Sequence, residues 1–145
     1  MLNIFALRLM FILSVLVIGC PVLADRFTVI KLEMPDQKKY MTYIFDSQGN
    51  RCKQVLARLH ERYLRSCKDC KTVQNACVDS LPRQYTGVFD SIPLEHPYMI
   101  LSGLLTQAIV YEGFGRNTFN SICRAQKKQT NPSFCVYPDT KTANE

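Results

Sequence analysis

Histidine is scarce, since His60 and His96 are the only two in the chain. A Ser-His-Asp triad drawn from Ser102, His96 and Asp90 therefore rests on residue types alone, and Leu101-Ser102-Gly103 lacks the GxSxG elbow that exposes such a nucleophile. No CxxCH is present, because Lys71 follows Cys70, and that excludes haem attachment through this motif. Asp90 and Glu95 are near neighbours in sequence, but glycoside cleavage needs two carboxyls at a set separation in a cleft. The one GxG, Gly113-Phe114-Gly115, lacks a third glycine. There is no internal repeat and no low-complexity tract. These absences argue against an enzyme and leave no motif that requires a cofactor.

Long apolar runs are missing too. The longest, Leu9 to Gly19, is broken only by Ser14 and falls short of the roughly 20 residues that cross a bilayer. With Arg8 as the only charge before Asp25 and Val22-Leu23-Ala24 preceding it, residues 1–24 are expected to be a signal peptide removed before Asp25. Val17-Ile18-Gly19-Cys20 also resembles the bacterial lipobox, which implies the alternative of a lipidated Cys20 as the mature N-terminus. Either way the protein is expected to be exported, periplasmic or secreted in the first case and held at the membrane surface in the second.

Cysteine is what the chain has in quantity. Without Cys20, the seven cysteines become six: Cys52, Cys67, Cys70, Cys77, Cys123 and Cys135. An even set in an oxidising compartment reads as a disulfide framework. Cys123 and Cys135 flank the Asn131-Pro132 turn and are expected to pair. For the other four, Cys52 with Cys77 and Cys67 with Cys70 is one option among those the spacing allows. A zinc site would have to recruit His60 with Cys67, Cys70 and Cys77, yet His60 and Cys67 sit two helical turns apart while tetrahedral ligands must converge. No metal site is expected.

Residues 25–138 read as one α+β domain, followed by a polar tail over 139–145. Phe27 to Met34 and Tyr40 to Phe45 predict a hairpin around a Pro35-Asp36 turn. From Cys52 to Cys67, apolar residues recur every three or four positions at Val55, Leu56, Leu59, Tyr63 and Leu64, which predicts an amphipathic helix. A second short helix is expected over Lys71–Ser80, capped by Asp69. Leu81 to Tyr98 holds prolines that forbid a continuous helix and aromatics, Tyr85, Phe89 and Tyr98, that must pack on something. Strands follow at Tyr98–Leu101 and Thr106–Tyr111, then a helix capped by Asn117 or Thr118 and a closing strand at Phe134–Tyr137.

Charge is uneven. Arg51, Lys53, Arg58, Arg62, Arg65, Lys68 and Lys71 face only Glu61 and Asp69 within one segment, whereas the rest of the expected mature chain is balanced. A solvated helix face explains such a stripe. So does a contact surface for an acidic envelope component: anionic lipid, charged polysaccharide or an acidic protein. Nucleic acid is not expected in that compartment. A glycine loop before a helix can also present backbone amides to an anion, with Arg116 adding a bidentate contact. The expected binding residues are thus Arg58, Arg62, Arg65, Lys68, Gly113, Gly115 and Arg116, in a non-enzymatic envelope protein. Two other readings are a thiol-disulfide oxidoreductase using Cys67 and Cys70, and a structural or inhibitory module whose proline-rich segment meets a partner protein.

Overall fold

The computed structural model describes residues 26–36, 38–48, 51–129 and 133–139. The predicted signal segment with Cys20, the tail beyond Asp139 and the Asn131-Pro132 turn lie outside the described residues. In chain order the elements are β1 (Phe27–Glu33), β2 (Tyr40–Asp46), α1 (Cys52–Ser66), β3 (Lys71–Val78), β4 (Tyr98–Leu101), β5 (Gln107–Glu112), α2 (Arg116–Lys127) and β6 (Ser133–Val136). The strands form one antiparallel sheet in the order β3-β1-β2-β5-β4-β6.

That order reads the same from either edge. A strand pair, a helix and a third strand returning beside the first occur twice, and β2 and β5 meet at the seam with Tyr43 opposite Ile109. The repeat is topological. It escaped the sequence because each half fills the same positions with different side chains: Ile30 and Leu32 on β1, Met99 and Leu101 on β4.

Period-two alternation assigns each strand two faces. Ile30, Leu32, Tyr43, Phe45, Met99, Ile109 and Tyr111 form one core, against which α1 lays Val55, Leu56, Leu59, Tyr63 and Leu64 and α2 lays Phe119 and Ile122. Tyr63 stacks on Tyr43 with ring centroids 3.9 Å apart, and its hydroxyl accepts a hydrogen bond from Gln107 at 2.9 Å. Ile44, Tyr98, Ala108, Val110 and Val136 form the other core. There the cover is the proline-rich segment, which crosses the sheet as a strap with two short 3-10 turns, Arg83–Tyr85 and Val88–Asp90. Tyr85 and Val88 from the strap are buried in that core, and Phe89 stacks on Phe27. Because both faces are covered, β2 and β5 read as nearly continuous apolar runs. Tyr85 and Tyr98 are core residues and offer no ring to a partner protein.

Two expectations are corrected. Lys71–Val78 is the edge strand β3 and not a helix; Thr72, Val73 and Val78 favour extended backbone, and pairing with β1 outweighs the weak helical propensity of so short a segment. Asp69 is accordingly no N-cap: it sits at φ 65°, the left-handed corner of the turn that brings Cys70 N–H to the Cys67 carbonyl. The last helix begins at Arg116 with Gly115 as its N-cap, before the predicted Asn117 or Thr118.

Cys123 pairs with Cys135 as expected, and the other four cysteines adopt the option of Cys52 with Cys77 and Cys67 with Cys70. Cys52–Cys77 ties the start of α1 to β3, Cys123–Cys135 ties α2 to β6, and Cys67–Cys70 closes the turn between α1 and β3. The first two are counterparts in the two halves, each fastening a helix to the strand after it. Three disulfides suit an oxidising, non-cytoplasmic compartment. Among the described residues no helix is long and apolar enough to cross a membrane.

Candidate functional site

The periodicity that buries one side of α1 forces its charges to the other. Arg51, Lys53, Arg58, Arg62, Arg65 and Lys68 are all exposed. Arg65 reaches Glu61 at 3.6 Å, a solvent-exposed pair one turn apart that holds little energy. Arg58 and Arg62 have no ion-pair partner among the described residues. The result is a basic strip along α1, from Arg51 to the turn carrying Lys68.

The glycine loop lies elsewhere. It follows β5 into α2, in the other half of the sheet, and the structure does not bring it onto the arginine strip. Gly113 adopts φ 77°, and a Cβ there would collide with the Lys38 carbonyl oxygen in the β1–β2 turn. Its lack of a side chain therefore serves close packing of two turns. Gly115 has open space around it. Arg116 lies over the Tyr137 ring at 5.8 Å and helps line a small apolar recess with Phe114, Phe119 and Pro138. Gly113→Ala is expected to cost about 2 kcal/mol or more in thermal or denaturant unfolding, while Gly115→Ala stays within about 0.5 kcal/mol. Equal tolerance at both positions would mean that the two turns separate freely.

Cys67 is the C-cap of α1, its N–H donating to the Tyr63 carbonyl. A thiolate there would meet the negative end of the helix dipole, the reverse of what lowers a cysteine pKa. Both sulfurs of the Cys67–Cys70 bridge lie near the Met34 sulfur, at 3.8 and 3.6 Å. His60 bonds the Thr72 hydroxyl at 2.8 Å, and Cys67, Cys70 and Cys77 are consumed in disulfides, so the zinc set does not form. His96 and Ser102 lie beyond opposite ends of β4, whose four extended residues alone span about 10 Å, and no triad assembles.

One polar cluster was not foreseen. Beneath the strap, Lys31 of β1 pairs with Glu112 of β5 at 2.7 Å, and both side chains are over four-fifths buried. Glu112 also accepts from the Tyr85 hydroxyl at 2.7 Å and from Thr42 at 3.4 Å. Burial alone would raise the Glu112 pKa, but the hydrogen bonds from Lys31 and Tyr85 and the charges of Lys31 and His96 outweigh it and hold the carboxyl below its ordinary value. Burial likewise works against the Lys31 ammonium, and Glu112 and Tyr85 together more than compensate, so that lysine is raised. The cluster opens to a groove of about 590 Å³ whose walls include Arg83, Tyr85, Leu94, Glu95, His96 and Glu112. All three polar contacts to Glu112 come from inside the fold, which makes the cluster a clamp between strap and sheet. In sequence, the only hint was a lysine at an inward position of β1 and a glutamate closing β5.

Comparison with known proteins finds no matching family model, no similar curated protein and no similar solved structure. A functional reading therefore rests on the geometry of the chain itself.

Proposed function

We propose that this protein is an exported, non-enzymatic binding module that holds an acidic component of the cell envelope against the outer face of α1. What carries the reading is the basic strip itself, in which Arg58 and Arg62 stand exposed and unneutralised while the opposite side of the same helix is committed to the core. Unpaired guanidinium groups spaced a helical turn apart suit sulfate, phosphate or carboxylate groups repeated along a polymer. The disulfides, the apolar leader-like run over residues 9–19 and the excess positive charge support an envelope location. Thiol-disulfide exchange by Cys67 and Cys70 gains no support from their place at the C-terminal end of α1.

The test is binding to an acidic polysaccharide column at graded salt. Arg58→Gln, Arg62→Gln and Arg65→Gln combined should elute at clearly lower salt than the parent, with an unchanged unfolding midpoint, because exposed charges contribute little to stability. Elution of the parent and the triple variant at the same salt would end the proposal.

A further inference from the structure

Leu104 is fully exposed at the tip of the β4–β5 hairpin, with no described neighbour to cover it. Its surroundings are not random. The hairpin turns at the end of the sheet where β1 begins and β2 and β3 finish, since Leu101 pairs with Gln107, and Phe27 pairs with both Asp46 and Val78. α1 starts at this end, and α2, running the opposite way over the same face, finishes here before β6 begins beside Leu101. The first turn of α1 supplies Arg51 and Lys53, and the last turns of α2 supply Arg124, Lys127 and Lys128, all exposed. Arg51 and Leu104 line one shallow groove. The described chain also enters here, at Arg26, whose carbonyl accepts from the Ser47 N–H and hydroxyl at 2.9 Å.

We infer that this end of the molecule seats on an anionic lipid bilayer, with Leu104 entering the interfacial region and the five cations of α1 and α2 resting on the head groups. An apolar tip within a cationic collar combines the two terms that drive interfacial binding, burial of apolar area and attraction to anionic lipid. The alternative in which Cys20 is the lipidated N-terminus points to the same occupant, because Cys20 lies only six residues before Arg26, within roughly 20 Å of extended chain. A lipid on Cys20 would bring the Leu104 end to the membrane. The inference shares with the proposed function the envelope location and the cations Arg51 and Lys53 at the start of the strip, but it does not use Arg58, Arg62 or Arg65.

The chain has no tryptophan, so a single one placed at this tip reports without background. Full-length Leu104→Trp mixed with phosphatidylglycerol vesicles is expected to show a blue-shifted emission that brominated acyl chains quench. Val73→Trp, at an exposed site on edge strand β3 toward the opposite end of the sheet, where Leu32 pairs with Thr72 and Glu33 with Lys71, should show neither change. Leu104→Ser should weaken vesicle binding by about tenfold or more, the loss expected for one leucine kept in water. Unshifted, unquenched emission from the Leu104→Trp variant while it is bound to vesicles would overturn the inference by showing attachment through the N-terminal segment alone. Salt-sensitive polysaccharide binding would survive that result, and its loss in the arginine variant would leave the vesicle fluorescence result standing.

Discussion

Replacing Cys52 and Cys77 together by alanine is expected to lower stability by about 3–4 kcal/mol, more than the loss of either other bridge. The reason lies in the unfolded chain. Cross-links restrict it in proportion to the logarithm of the loop they close, and the three bridges join residues separated by 25, 12 and 3 positions. The same relation gives about 3 kcal/mol for Cys123–Cys135 and about 2 kcal/mol for Cys67–Cys70. Cys52 is also buried, with the Thr28 hydroxyl 3.0 Å from its sulfur, so truncation there leaves packing unsatisfied as well. Denaturant midpoints of the three double-alanine variants should fall in that order. A largest loss at Cys67 and Cys70 would mean that their turn, and the Met34 contact beneath it, carries stability that loop closure does not describe.

Glu112→Leu is expected to destabilise the protein by about 3 kcal/mol, because it strands the Lys31 ammonium in the interior and removes the acceptor of the Tyr85 hydroxyl. The double variant Lys31→Met with Glu112→Leu should recover much of that loss, since two apolar side chains replace two desolvated charges. The pH dependence has a definite sign. A carboxyl held below its ordinary value stabilises the fold above the unfolded-state pKa, and that contribution drains away as pH falls through the lower, folded value. A raised lysine stabilises below its unfolded value and loses its contribution as pH rises through the folded one. The clamp is therefore fully engaged between about pH 5 and pH 10 and weakens outside that window. Unfolding free energies taken from pH 7 down to pH 3 should fall more steeply in the parent than in the double variant. Parallel curves would show that Glu112 stays charged or neutral alike in folded and unfolded chains.

What could be read from the residues beforehand followed from local periodicity. The β1–β2 hairpin, α1 and its two faces, β4, β5 and the Cys123–Cys135 bridge were legible because alternation, three-and-four spacing and turn residues act within a few positions, whereas the pairing of the other four cysteines was one option among several. β3 was not, because Lys71–Val78 has no decisive period and becomes a strand by pairing with β1, a partner some forty residues earlier. The arginine strip was visible as a consequence of the helical period. The Lys31–Glu112 clamp was invisible, since its members come from β1, β2, the strap and β5, and only the sheet register brings them together. Gly113 illustrates the same limit: a glycine before a helix suggests an anion cradle, whereas its actual neighbour is the backbone of Lys38.

The mirrored strand order has a bearing on how the chain reaches this fold. Within each half, the hairpin partners and the helix-to-strand bridge are close in sequence, and the returning strand pairs at a shorter separation than the seam, so these loops close at less entropic cost. The seam is different, because Tyr43 and Ile109 must find one another across most of the domain. Non-local pairings of that kind dominate the folding barrier. The two halves are thus set to organise first, with the β2–β5 zipper closing last. Until it closes, each half presents an open strand edge of Tyr40–Asp46 or Gln107–Glu112, the apolar stretches most apt to exchange between two copies of the chain.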